Sequence, residues 1–227
     1  MTRDIAATDG WRAAHPGASI GLLELSALDN RGASPRLNER KRAIEAGLRE
    51  RYRGFGRQDF LALPVMAAYD RYYRRFNKTY HVQLQLESIV LKGKSLPDVS
   101  PAVDANFMAE VETLVLTAGH DADRLTGPIV IDVSRDGDQM TPMHGTSRAI
   151  RAGDMIMRDA GGVACSIIYG QDARSPISPE SSHVLYVAYA PADITADVVE
   201  RQLAGIAEHL RLVSPDLVVE QRRLLIA

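Results

Sequence analysis

One cysteine, Cys165, occurs in 227 residues, so no internal disulfide can form and a reducing compartment is the expected setting. Within GVACSIIYG its thiol reads as a small buried hydrophobe. No apolar run approaches the length of roughly 20 residues that a membrane-spanning helix needs. The opening MTRDIAATDGWR has neither the cationic start nor the hydrophobic stretch of a signal peptide. A cytoplasmic protein without a membrane partner is therefore expected. GxxxxGK[ST], GxSxG, HExxH and paired CxxC motifs are absent, which removes the usual support for nucleotide-binding and protease readings. The glycines at Gly161 and Gly162 read instead as a hairpin turn. With one cysteine and six dispersed histidines, neither a metal site nor another cofactor is expected.

What the chain does have is enough apolar content, 45%, to build a core for one large domain. Its formal net charge of -2 hides an asymmetry. Between Arg36 and Lys78 there are twelve Lys/Arg against five Asp/Glu, a local +7 that leaves -9 elsewhere. Two readings stand: a surface for a polyanion, since clustered cations on phosphate release counterions, or ordinary helices with solvated outer faces.

Periodicity orders the elements. Ser19 to Leu28 reads as a strand, followed by the turn residues DNRGASP. Ser34 and Pro35 then start a helix with Leu37, Ile44, Leu48 and Tyr52 at helical spacing. Asp59 is expected to cap a second helix, with Pro64 near its first turn and Leu61, Val65, Ala68, Tyr69, Tyr72 and Phe76 inward. A third helix carries Val82, Leu86, Ile89 and Val90, with Gly93 as C-cap. Ser100 and Pro101 open a fourth, with Val103, Phe107 and Val111 inward, that ends near Thr113. From Leu114 the short apolar runs LVLTAG, PIVIDV, DMIMRDA, VACSIIYG and HVLYVAYA read as strands. A helix over 195–212 and a last strand at LVVEQRRLLI close the chain. This order predicts an α+β fold, helices packed on a mostly antiparallel sheet.

Three polar groups are candidates for chemistry. In LVLTAGHDADRLTGPIVIDV, His120, Asp121 and Asp123 interrupt two apolar runs. Their spacing does not converge ligands on a metal, and Asp in such a bend ordinarily bonds backbone amides. His120 has the alternative reading of a general base or water-orienting group. Gln171, Asp172, Arg174 and Ser175 form a second group at a strand end, where sites concentrate but where any hairpin also needs polar residues. Asp104, Asn106 and Glu110 form a third. Asn106 and Glu110 are four apart and share a helix face, which exposed helix polarity explains equally well.

The order of these stretches resembles a known family. LPDVSPAVDAN, DADRLTGPIVID and the region from Ile167 through SHVLYVAY, spanning about Tyr72 to Pro191, resemble the paired third and fourth B domains of the phenylalanyl-tRNA synthetase beta subunit. That module hydrolyses tyrosine mischarged onto tRNA for phenylalanine. The whole chain, including 18–71 and the tail 195–227, is similar to freestanding bacterial tRNA-editing-domain proteins. The family's Val-Asp and Asn positions are met by Val103, Asp104 and Asn106, with one residue fewer between Asp and Asn. Its DxDR turn is met by Asp121, Asp123 and Arg124. The editing histidine position is occupied here by Ala118, and the editing glutamate position by Val187.

The resemblance implies a single-domain protein that binds tRNA or aminoacyl-tRNA and hydrolyses misacylated tRNA in trans. In that reading His120 orients water, Asn106, Glu110 and Arg174 bind substrate, and the basic helices contribute tRNA contacts. The rivals are a noncatalytic protein that binds RNA or a small amino-acid-like ligand, and a protein that docks on a partner through its tail helix.

Overall fold

The computed structural model describes residues 3–32, 34–143 and 145–227. Helices pack on two main sheets, an α+β arrangement as expected. The first sheet has the order β1 (Ile5–Ala7), β4 (Ile129–Val133), β7 (Met155–Asp159), β8 (Gly162–Ser166) and β9 (Gly170–Gln171). Only the β1–β4 pairing is parallel. The second sheet is antiparallel throughout, with β11 (Val218–Ile226), β2 (Ser19–Ser26), β10 (Val184–Ala190) and β3 (Thr117–Asp121) in that order. The short strands β5 (Gln139–Met140) and β6 (Arg148–Ala149) form a separate ribbon. All of β10 and nearly all of β2 are buried, and both read in the sequence as continuous apolar runs because both of their faces are covered.

Helix starts follow local chemistry. In α2 (Pro35–Arg51) the Ser34 hydroxyl accepts from the Leu37 N–H, with Pro35 at the first position, where its missing N–H costs nothing. The single helix expected from Asp59 is two: α3 (Arg57–Leu61) and α4 (Pro64–Arg74). Leu63 is extended at ψ 132° because a residue before proline avoids the helical region. Asp59 caps α3, its carboxylate accepting from Gly56 N–H at 2.8 Å. Helices α5 (His81–Val90) and α6 (Pro101–Thr113) lie as expected, with Gly93 at positive φ after α5. Helix α7 (Ala196–Arg211) packs on α6 and β2. Gly21 in β2 makes that approach possible, since a β-carbon there would lie 2.5 Å from Val199 Cγ1. The start of the chain shows no sequence pattern, yet it supplies β1 and α1 (Asp9–Ala14).

Three tyrosines of α4 tie the two sheets together. Tyr69 donates to Tyr189 O at 2.6 Å and accepts from Leu116 N–H at 2.9 Å, both in or beside the second sheet. Tyr72 donates to Asp154 at 2.6 Å and accepts from Met155 N–H, while Tyr73 donates to Ile167 O. Tyr69 and Tyr72 belong to the expected inward stripe, and Tyr73 is buried beside them. Their hydroxyls also fix the separation of the sheets, and the space left beside β3 is where a candidate site opens.

Candidate functional site

β3 is an edge strand, and its outward backbone groups explain the polar face of α6. The bonds from Tyr189 N–H to Leu116 O and from Ala122 N–H to His183 O set the alternation, so Thr117, Gly119 and Asp121 direct their main-chain groups away from β10. Glu110 accepts from Thr117 N–H at 2.7 Å, and the Asn106 amide donates to Thr117 O at 2.9 Å. The i, i+4 pair on α6 thereby replaces a neighbouring strand. Asp121 N–H is taken by Ser175 O at 3.0 Å. Gly119 alone among the three has no N–H or C=O partner among the described residues.

Gly119 lines a cavity of about 460 Å³ between the sheets, a size suited to an amino-acid or nucleoside-sized ligand, bounded by the first half of α6, β3, β10 and the segment from Cys165 to Gln171. Its wall is largely apolar, with Val103, Phe107, Leu116, Ile167, Ile177 and Tyr186 among its residues. No Asp, Glu, Lys or Arg among the described residues lines it. Polar groups are few. The Asn106 amide must turn its NH2 toward Thr117 O, which leaves Oδ1 buried without a partner. Tyr189 Oη lies against the Cys165 thiol and meets no conventional hydrogen-bond partner. Burial pushes that thiol up to about 12, so Cys165 stays protonated at neutral pH. His81, exposed at the start of α5, lines the same cavity, and desolvation lowers its pKa.

The four residues singled out from the sequence do not converge. Only Asn106 lines the cavity. Glu110 is buried at the back, holding Thr117. His120 is 0% exposed, with Nδ1 2.8 Å from Ser175 Oγ and 3.2 Å from Nε2 of Gln171, a residue of the cavity wall. The Ser175 hydroxyl in turn bonds Asp172 at 2.9 Å. Desolvation holds the His120 pKa down at about 3, so the ring is neutral. Arg174 lines a different, smaller cavity, with Asp172 and Asp159 as ion-pair partners at 2.6 and 3.0 Å. The alternative of plain exposed helix polarity for Asn106 and Glu110 does not hold, because both are buried and bond the edge of β3. His81 was missed altogether, since nothing local distinguishes a histidine at a helix start.

Ala118 and Val187, the positions where the resemblance places the editing histidine and glutamate, are register partners across β3 and β10. His120 is two residues further along β3, opposite Leu185. A strand returns to the same face every second residue, about 6–7 Å on, so His120 occupies the next pleat rather than Ala118's place. Asp121 and Asp123 serve the turn: Asp121 accepts from Asp123 N–H at 3.1 Å and from the Ser181 hydroxyl at 2.6 Å. Asp123 pairs with His183.

Most cations of the basic segment have acidic partners, and all of these except Lys41 remain on the surface. Arg40, Lys41, Arg42, Arg49, Arg53, Arg57, Arg71 and Arg74 all form ion pairs, eight of the twelve cations. Lys41 is fully buried. The solvated-face reading is corrected for Lys41 and the polyanion-surface reading is reduced for the rest.

Glu110 makes the structure sensitive to pH. Burial raises its carboxyl from 4.5 to about 8, so the folded state binds a proton that the unfolded chain releases. The Glu110 contribution is fully present below about 4.5 and is lost as pH rises toward 8. Glu110→Gln is expected to remove this component and flatten the decline in stability between pH 5 and 8, relative to wild type in matched urea titrations. Equal slopes for the two proteins would contradict the assignment.

An apolar cleft between layers, with a few unpaired polar groups on its wall, sits in an α+β fold. More specifically, the chain belongs to the B3/4 domain family, whose model matches residues 66–208. No curated protein matches the chain significantly. It is similar to a solved N-terminal fragment of the phenylalanyl-tRNA synthetase beta subunit from Pyrococcus horikoshii, at 9% identity and a TM-score of 0.48. The match covers 97% of this chain and 50% of that one, so the chain spans about half the length of that fragment. No helix among the described residues is long and apolar enough to cross a membrane.

Proposed function

We propose that the protein recognises the aminoacyl end of a charged tRNA, with an apolar amino-acid side chain in the cavity beside β3. The B3/4 family supports an RNA- or editing-related role. The observation that carries the finer reading is the uncharged wall. A free amino acid would bring a carboxylate for which the wall holds no cation, an expensive burial. An aminoacyl ester has no such charge, and the polar groups its α-amino group would meet on the wall, the unpaired main chain of Gly119 among them, are neutral.

Hydrolysis is a second reading, and His81 is the observation that favours it. It is the imidazole on the wall, and its lowered pKa keeps it available as a base at neutral pH. In this reading His81, rather than His120, does that work. Deacylation of a panel of misacylated tRNAs is expected to proceed at the same rate with His120→Ala as with wild type, thermal stability being measured alongside. A selective loss of rate in a folded His120→Ala protein would return His120 to the chemistry. Binding of nonhydrolysable 3′-aminoacylamino-adenosines tests the recognition itself. Tighter binding of free amino acids than of these analogues would refute it.

A further inference from the structure

A second cavity lies on the far side of α4, away from the aminoacyl cleft. It has a volume of about 210 Å³, and His15, Arg71, Tyr72, Arg75 and Asp193 are among its lining residues. His15 is only 6% exposed, and its Nε2 is buried with no hydrogen-bond partner. The ring itself lines the cavity, so it reports on whatever occupies that space. Arg75 has no carboxylate partner among the described residues. Its guanidinium lies over the rings of Tyr72 and Phe76 at 5.3 and 5.7 Å, with one long contact to Gly153 O at 3.5 Å. Arg71 bonds Asp193 through one nitrogen at 2.6 Å, which leaves its other donors available.

We infer that this cavity is a binding site for a phosphate group, received by Arg75 and the remaining donors of Arg71, with the neutral His15 ring on the wall beside it. The wall carries two guanidinium charges against the single carboxylate of Asp193, so its balance favours an oxyanion. Forked guanidinium donors suit phosphate geometry. Tyr72 contributes only its ring, because its hydroxyl is committed to Asp154. Burial and the neighbouring Arg75 hold the His15 pKa at about 4 in the empty cavity, and a bound anion raises it. The site is independent of the aminoacyl reading, since none of its residues lines that cleft.

The test is NMR of the full chain labelled at histidine, titrated separately with inorganic phosphate and with uncharged tRNA. A saturable shift of the His15 ring, with a raised pKa, is expected. A response to inorganic phosphate assigns a free phosphate compound as ligand. A response to tRNA alone assigns a backbone phosphate. Arg75→Gln is expected to weaken binding about tenfold or more. Asp193→Asn provides the opposite sign. Asp193 sits at φ 75°, a conformation that asparagine tolerates, so the variant should fold while freeing Arg71 and tightening phosphate several-fold. No His15 response to either probe, or a response unchanged in both variants, would overturn the site.

Discussion

Lys41→Met is expected to lower the unfolding free energy by about 3–5 kcal/mol, because removing one partner of a buried ion pair leaves the other charge uncompensated. The Lys41 ammonium, on α2, donates to Asp104 at 2.6 Å, to Asp98 at 2.7 Å and to Pro97 O at 2.8 Å. Asp104 is itself buried and also accepts from Val99 N–H at 3.0 Å. The lysine therefore fixes both the loop before α6 and the first turn of α6. Asn106, one half-turn later, holds β3. In a chain of this size the loss corresponds to a fall in melting temperature of roughly 10 °C. Denaturant titration checks the free energy, and the midpoint should move with little change in slope. Asp98 supplies an independent readout: its pKa is lowered first by hydrogen bonding to Lys41 and then by the lysine charge, so it should rise in the variant. A loss of under about 1 kcal/mol, the range of an exposed pair, would show that Lys41 is not the anchor described.

Gly119→Val is expected to abolish binding at the aminoacyl cleft while leaving the chain folded. Gly119 is in extended backbone with no positive φ, so valine suits the strand. The obstacle is space: a β-carbon there would stand 2.7 Å from Ile177 Cδ1 and 3.1 Å from Tyr186 Cε1. Ile177 is the end of a flexible side chain and can shift, but it shifts within the cavity wall. Tyr186, anchored to Ala102 O at 2.9 Å, has to give by only a few tenths of an ångström. Valine also shields the unpaired main-chain groups. Affinity for the nonhydrolysable aminoacyl-adenosine analogues should fall at least about tenfold, the equivalent of ~1.4 kcal/mol, with Gly119→Ala intermediate. Wild-type affinity in the valine variant would place the ligand elsewhere.

Much of the framework was legible because it is written in local patterns. Ser34 with Pro35, Ser100 with Pro101 and the run of short apolar segments after Leu114 each fall where the element begins or runs. Pro64 was misjudged as tolerable within one helix, although the constraint on Leu63 breaks the chain into two. β1 has three residues and pairs in parallel with β4, 124 positions away, so no local pattern announces it.

The sequence by itself determined the α+β class, the helix caps, the family resemblance and the absence of histidine and glutamate at the positions now held by Ala118 and Val187. Those properties depend on residue identity and on separations of a few residues. Only the tertiary structure decided which polar groups share a space. Asn106 and Glu110 look alike on a helix face, yet one meets the cleft and the other seals a strand edge. His120 and Ala118 are two residues apart, yet Ala118 lines the cavity while His120 is buried against Ser175 and the wall residue Gln171. Lys41 looks like one cation among twelve, and long-range packing makes it the buried centre of a network. Burial and register follow from contacts between distant segments, so residue identity alone does not reveal them.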